Sequence, residues 1–245
     1  MKDLNILNSH DRDNRIFFEE ENHIYTIDKN KKAKSVTELI SEFFPKFDKE
    51  YWAKKESQKT GENIKDIIKR WEDLGEKARS EGTDLHNQIE NFYNKIEFKN
   101  SPELEKFMKF HEKFIVKNYE PYRTEWRVFD EKKLLAGTID MVYKKSNNKV
   151  FLFDWKRSKK IINSNGEIEK ENPFENCLHG LGHMSSSDYN KYCLQQNIYK
   201  YILEKNYDLE VTSMNLLILH PYYQSYHVVK IDELPLETDY LINSL

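Results

Sequence analysis

The stretch Lys149-Val150-Phe151-Leu152-Phe153-Asp154-Trp155-Lys156 decides how the rest of the chain is read. Its four consecutive apolar residues are β-branched or bulky and too few for a helix, which predicts a strand buried on both faces. Side chains two apart on a strand share a face, so Asp154 and Lys156 emerge together from its end. A carboxylate and an ammonium leaving a buried strand are costly unless paired, hydrated or bound to metal. The spacing alone carries little weight, because Glu131-Lys132-Lys133 repeats it with no apolar run in front. Its meaning depends on the flanking segments.

Immediately upstream, residues 122–129 and 134–143 read as two more strands, giving an antiparallel meander with 150–155. Alternation along 134–143 predicts Ala136, Thr138 and Asp140 on one face, with Ile139, Met141 and Tyr143 on the other. Gly137 inside this strand marks a place where another group approaches the backbone closely. Asp140 precedes Asp154 by 14 residues, a hairpin's length, so neighbouring strands can bring the two carboxylates together.

Downstream, residues 157–187 read as a long loop, rich in Asn, Gly and Ser and opening on Arg157, Lys159 and Lys160. His179 and His183 within it have a spacing that some zinc sites use, but no second ligand pair accompanies them. A helix follows over 188–206, with Tyr189, Tyr192, Cys193, Gln196, Tyr199, Ile202 and Leu203 at helical spacing. Two strands, 211–220 and 226–231, complete the chain.

The N-terminal part is more helical. Residues 1–15 are polar and expected to be loose, 16–18 and 23–27 form a hairpin, and 29–34 is a basic connector. Ser35 and Glu38 make a capping box for a helix that Pro45 ends, and Thr37 near that terminus is a candidate phosphate contact. Ile64, Ile67, Ile68, Trp71 and Leu74 form a helical stripe that Gly75 and Gly82 are expected to interrupt. A second helix from Thr83 places His86 and Glu90 on one face, and Pro102 opens a third.

The whole chain narrows the function classes. Its 245 residues suffice for one large domain with a proper core, and 13% aromatic residues argue against global disorder. A net charge of −3 excludes a uniformly basic nucleic-acid coat, so any polyanion contact must be local. Two cysteines, Cys177 and Cys193, are too few for a four-cysteine zinc site or an iron–sulfur cluster. With no apolar run long enough for a membrane span and no apolar signal core at the start, an intracellular, cytoplasmic protein is the expectation. Two carboxylates with an imidazole suit Mg²⁺ or Mn²⁺, and a lysine beside them can stabilise charge on a phosphoryl oxygen.

This constellation resembles the PD-(D/E)xK nuclease superfamily, in its RecB-like exonuclease branch. The matching segments run from Gly82 to Glu90, Gly137 to Asp140, Asp154 to Lys156 and Tyr192 to Tyr199, with a weaker likeness from Lys34 to Ile40. The resemblance implies an α/β, restriction-endonuclease-like core with a central mixed β-sheet flanked by helices, and metal-dependent cleavage of DNA. Residues 1–245 would form a single nuclease domain, with a hairpin and helical part over 1–120 and the sheet core over 121–245. His86, Asp140, Asp154 and the Trp155 carbonyl would hold one or two metal ions, and Lys156 would be the catalytic lysine beside Asp154 and Asp140. Gln195 and Tyr199 match the branch's Gln-x-x-x-Tyr helix, which supports the site and contacts substrate. Glu125 sits where relatives often carry a strand acid; Glu90, Thr37 and Arg157 are further supporting candidates.

An exonuclease acting on free DNA ends, in repair, recombination or replication, is the leading expectation. Lacking a nucleotide-binding loop, it would depend on a helicase or recombination partner for unwinding. A nicking or structure-specific endonuclease, and an inactive nucleic-acid-binding or assembly protein on the same fold, are the alternatives. The basic start of 157–187 and its glycines are expected to form a lid or strand guide over the metals.

Overall fold

The computed structural model describes residues 3–146 and 148–245. Its elements in chain order are α1 (Leu4–Leu7), β1 (Ile16–Glu19), β2 (Ile24–Ile27), β3 (Lys31–Ser35), α2 (Val36–Ser41), α3 (Lys49–Thr60), α4 (Ile64–Asn94) and α5 (Pro102–Phe110). They continue as β4 (Glu120–Asp130), β5 (Leu135–Ser146), β6 (Lys149–Lys156), α6 (Asp188–Asn206), β7 (Glu210–Ile218), β8 (His227–Lys230) and α7 (Pro235–Asn243). The fold is α/β: a mixed eight-stranded sheet, ordered β1-β2-β3-β5-β6-β7-β8 with β4 on β5, flanked by helices.

β4, β5 and β6 form the expected antiparallel meander. β6 is a central strand, paired at its two edges with β5 and, in parallel, β7, and helices bury both of its faces. Val150 and Leu152 pack into one apolar cluster with α2, α6 and α7. Phe153 and Trp155, on the opposite face, pack with α4 and α5. Ser187 caps α6 by accepting from Asn190 N, and nine of its side chains are buried.

The connection at the head of β5 makes the site. β3 is a strand where a basic connector was expected: Lys34 and Ser35 pair in parallel with Leu135 and Ala136. β6 takes the same edge of β5 only from Met141 onward. Among the described residues, no strand pairs with that edge between Gly137 and Asp140. Sequence could not show this, because Lys31 to Lys34 has the composition of a loop and becomes a strand by pairing with β2 and β5.

Several other expectations give way to packing. One 31-residue helix, α4, replaces the two helices divided by Gly75 and Gly82. Glycine in a helix interior costs only about 1 kcal/mol, and burial of Leu85, Ile89 and Tyr93 outweighs it at the C-terminal half. α3 packs along the N-terminal half of α4, and α7 closes against α6; neither was anticipated. The face alternation of β5 slips at Asp140: Ile139 and Val142 join the α6-side cluster, whereas Met141 and Tyr143 join the α4 side.

Residues 157–187 are largely irregular, but they are packed onto the core. Ile161, Ile162, Cys177, Leu181 and Met184 belong to the α6-side cluster. Leu178 N donates to Phe43 O, and His183 Nε2 meets Glu237 Oε1 at 2.9 Å. This packing gives the segment a share in the core, and His183 is engaged with α7 rather than with His179. Residues 3–15 are likewise not loose, as their contacts with β4 show below. No helix among the described residues is long and apolar enough to cross a membrane.

Candidate metal centre

Three elements deliver side chains to one point, and the end of a fourth, β6, lies beside it. α4 brings His86, β4 brings Glu125, β5 brings Asp140, and β6 brings Asp154, Trp155 and Lys156. His86 Nδ1 lies 3.4 Å from Glu125 Oε1 and 3.6 Å from Asp140 Oδ2. One ligand atom from each of these three residues lies within 4.8 Å of the others, a span that a single cation could bridge. His86 Nε2 is 3.0 Å from the Trp155 carbonyl oxygen. That contact places the imidazole proton on Nε2 in the neutral form and turns Nδ1 toward the carboxylates.

Asp140 occupies the gap left by the divergence of β3 and β6. Continuing the ladder from Phe153–Met141 would set Trp155 against Ile139, but Trp155 N donates instead to Asp140 Oδ2, at 2.8 Å. Asp140 is thus tied to the backbone of β6 and faces His86 with the same oxygen.

Glu125 is held in a costly backbone conformation. β4 pairs Thr124 with Met141 and Trp126 with Ile139, which sets Glu125 opposite Asp140. Its φ is +44°, a region that costs a non-glycine residue about 1–3 kcal/mol and persists only where the surroundings enforce it. Glu125 Oε1 is buried without a hydrogen-bond partner among the described residues. The nearest basic group to that oxygen is the His86 imidazole, 3.4 Å away.

Asp154 and Lys156 point to the α6 side. Lys156 Nζ forms an ion pair with Asp154 Oδ2 and stands 4.6 Å from the Tyr192 ring centroid. Gln196 Nε2 donates to Asp154 Oδ1 at 3.3 Å. Asp154 is therefore engaged by Lys156 and Gln196, outside the three-residue cluster, and the Trp155 carbonyl is engaged by His86. Burial raises the Asp154 pKa, the Asp140 charge reinforces it, and the Lys156 ammonium opposes, leaving it at about 6. Burial likewise raises Asp140. Burial lowers the His86 pKa, but Asp140 and Glu125 outweigh it and lift the value to about 9. Burial also disfavours the Lys156 ammonium, yet Asp154 and Asp140 hold its pKa above the ordinary lysine value.

The remaining expected residues separate into groups. The Tyr199 ring lies against Gly137, where an added Cβ would stand 2.7 Å from Cε1 and 2.8 Å from the hydroxyl. Gln195 Nε2 donates to that hydroxyl at 3.3 Å. Glu90 lines the same open cleft as His86 and Glu125, about 1250 Å³ in volume, and burial raises its pKa. Thr37 is exposed beside Ser35 Oγ, 3.1 Å away, and lines a second hollow. Arg157 is paired with Glu81 and Glu103, each at 2.8 Å, so it fastens α4 and α5 to the end of β6.

Gln196 and Tyr192 were missed as site residues, although both lie on the helical face read from sequence. Tyr192, Gln196 and Tyr199 recur at helical spacing, and a glutamine on an otherwise apolar stripe was the available signal.

No family model matches the chain, and no curated protein matches it. Among solved structures the chain is similar to one described as "Crystal structure of SSO0001", at 14% identity over 86% of this chain and 71% of that one, with a TM-score of 0.33. A likeness that distant carries neither fold nor activity across.

Proposed function

We propose that this protein is a divalent-metal-dependent deoxyribonuclease of the PD-(D/E)xK type, acting on DNA with a free end in repair, recombination or replication. The observation that carries this reading is the convergence of His86, Glu125 and Asp140 on one point, with ligand atoms within 4.8 Å of one another. The donors fit Mg²⁺ or Mn²⁺: carboxylate oxygens dominate, and Mn²⁺ accepts one imidazole readily. Asp154 could join them only by giving up part of its contact with Lys156. A cation held there supplies Lewis acidity toward a phosphodiester and lowers the pKa of water.

The protein's own groups divide the remaining work. Lys156 is held charged by Asp154 and Asp140, so it stabilises negative charge on a phosphoryl oxygen rather than accepting a proton. Asp154 and Tyr192 fix the ammonium from two sides, and Gln196 fixes Asp154. Arg79 and Arg127 line the cleft, and neither makes an ion pair among the described residues, which leaves them to meet a phosphate backbone. A helicase or recombination partner would supply the opened strand.

The test uses end-labelled linear and circular DNA, single- and double-stranded, with Mg²⁺, Mn²⁺ or chelator. Wild type should cleave linear DNA only with metal, and Asp140→Ala should not cleave it. Lys156→Ala should keep Mn²⁺ binding while turnover falls about 100-fold or more. Cleavage of circular DNA would redirect the reading to an endonuclease. Equal signals from wild type and Asp140→Ala would remove the enzyme reading.

A further inference from the structure

We infer that the N-terminal segment from Asp3 to Arg15 is a positioning element for the candidate metal centre, with Asn5 and Asp13 setting the place of the Glu125 carboxylate. The inference rests on the metal-site reading above and adds residues far from it in sequence.

The geometry surrounds Glu125 on both sides. Before it, Asn5 treats Thr124 as a neighbouring strand would: Asn5 Nδ2 donates to Thr124 O at 2.7 Å, and Thr124 N donates to Asn5 Oδ1 at 3.2 Å. The same Asn5 oxygen accepts from Arg123 Nε at 3.0 Å. After Glu125, Trp126 Nε1 donates to Asp13 Oδ1 at 3.1 Å, and that oxygen also receives Arg123 Nη2 at 2.8 Å. Thr124 Oγ1 closes the frame by donating to Asp140 O at 3.2 Å, joining it to the strand that carries the other carboxylate.

A residue at positive φ inside a strand relaxes to the extended form when its neighbours are free. Relaxation at Glu125 would turn its carboxylate away from His86 and Asp140, because the side-chain direction follows the backbone. Asn5 and Asp13 hold residues 123, 124 and 126, so the left-handed turn at Glu125 persists. The structural alternative is that this segment only covers the free edge of β4, as edge strands require. Edge covering explains the contacts of Asn8 with Tyr122 O, but it does not require two side chains to converge on the residues flanking the acid.

Mn²⁺ titration of the full chain, read by the loss of the free-ion electron paramagnetic resonance signal, separates the two. Asn5→Ala should weaken Mn²⁺ binding about 10- to 100-fold, the range seen when groups orienting metal ligands are removed. In a Glu125→Ala background the same change should leave the weakened affinity unaltered, since Asn5 acts through that carboxylate. An equal fold-loss in both backgrounds, or no loss in the wild-type background, would overturn the inference. Should Asn5→Ala fail to fold, as judged by circular dichroism, Asn5→Ser carries the same cycle. The metal-site reading fails separately: in that case Asp140→Ala would bind Mn²⁺ as wild type does.

Discussion

Gly137→Ala offers the sharpest test of how the site is packed. The added methyl would stand 2.7 Å from Tyr199 Cε1, 2.8 Å from its hydroxyl and 3.2 Å from Cζ. Ordinary contact begins near 3.4 Å, so the ring or β5 must retreat by about 0.7 Å. Tyr199 is only 2% exposed, and its hydroxyl is held by Gln195, so the ring has little room. Overpacking of this kind costs about 1–3 kcal/mol. For a chain of this length that lowers Tm by about 2–4 °C per kcal/mol. Urea and thermal unfolding measure the loss directly. Repeating the change in a Tyr199→Ala background gives the decisive comparison. That background pays about 3–5 kcal/mol for its cavity, but the clash is gone. There Gly137→Ala should be neutral or gain about 0.5–1 kcal/mol, because alanine restricts the unfolded strand more than glycine does. The same destabilisation in both backgrounds would refute the claim that Tyr199 is what requires a glycine at 137.

Other consequences follow from the strain, the charges and the packed insert. Glu125→Gly should be more stable than Glu125→Ala by about 1 kcal/mol, since only glycine accepts the observed φ of +44° without strain; equal urea midpoints would show that this turn is not retained. In chelator, folding stability should fall as pH rises from about 6.5 to 9, because the folded His86 pKa of about 9 exceeds the unfolded value near 6.5. The contribution is complete below the lower value and lost above the upper one, on the order of 3 kcal/mol, and His86→Gln should flatten that limb of the Tm–pH curve. Asp154, raised to about 6, adds loss of the same sign at lower pH, between about 4 and 6. Deleting residues 163–185 should lower Tm even without DNA, because Cys177, Leu181 and Met184 leave the core with it; an unchanged Tm would show that the segment has no share in the core.

The sequence determined the elements whose signal is local. Consecutive apolar residues specified β6, helical spacing specified α6, and a glycine inside a strand marked the approach of another group to Gly137. Residue types also chose the candidate donors His86, Asp140, Asp154 and Lys156. Their grouping was a tertiary decision. β3 and β6 diverge along β5, which opens the gap that Asp140 fills, and pairings between distant segments leave no local trace in composition. The same holds for Glu125, whose carboxylate enters the cluster through a backbone turn held by Asn5 and Asp13, more than a hundred residues away in sequence. The Asp154–Lys156 pair, the feature most legible in the sequence, faces α6 and binds Gln196. Alternation along β6 dictated their shared face, whereas only the packing of two helices on opposite sides of the sheet decided which acid meets the imidazole.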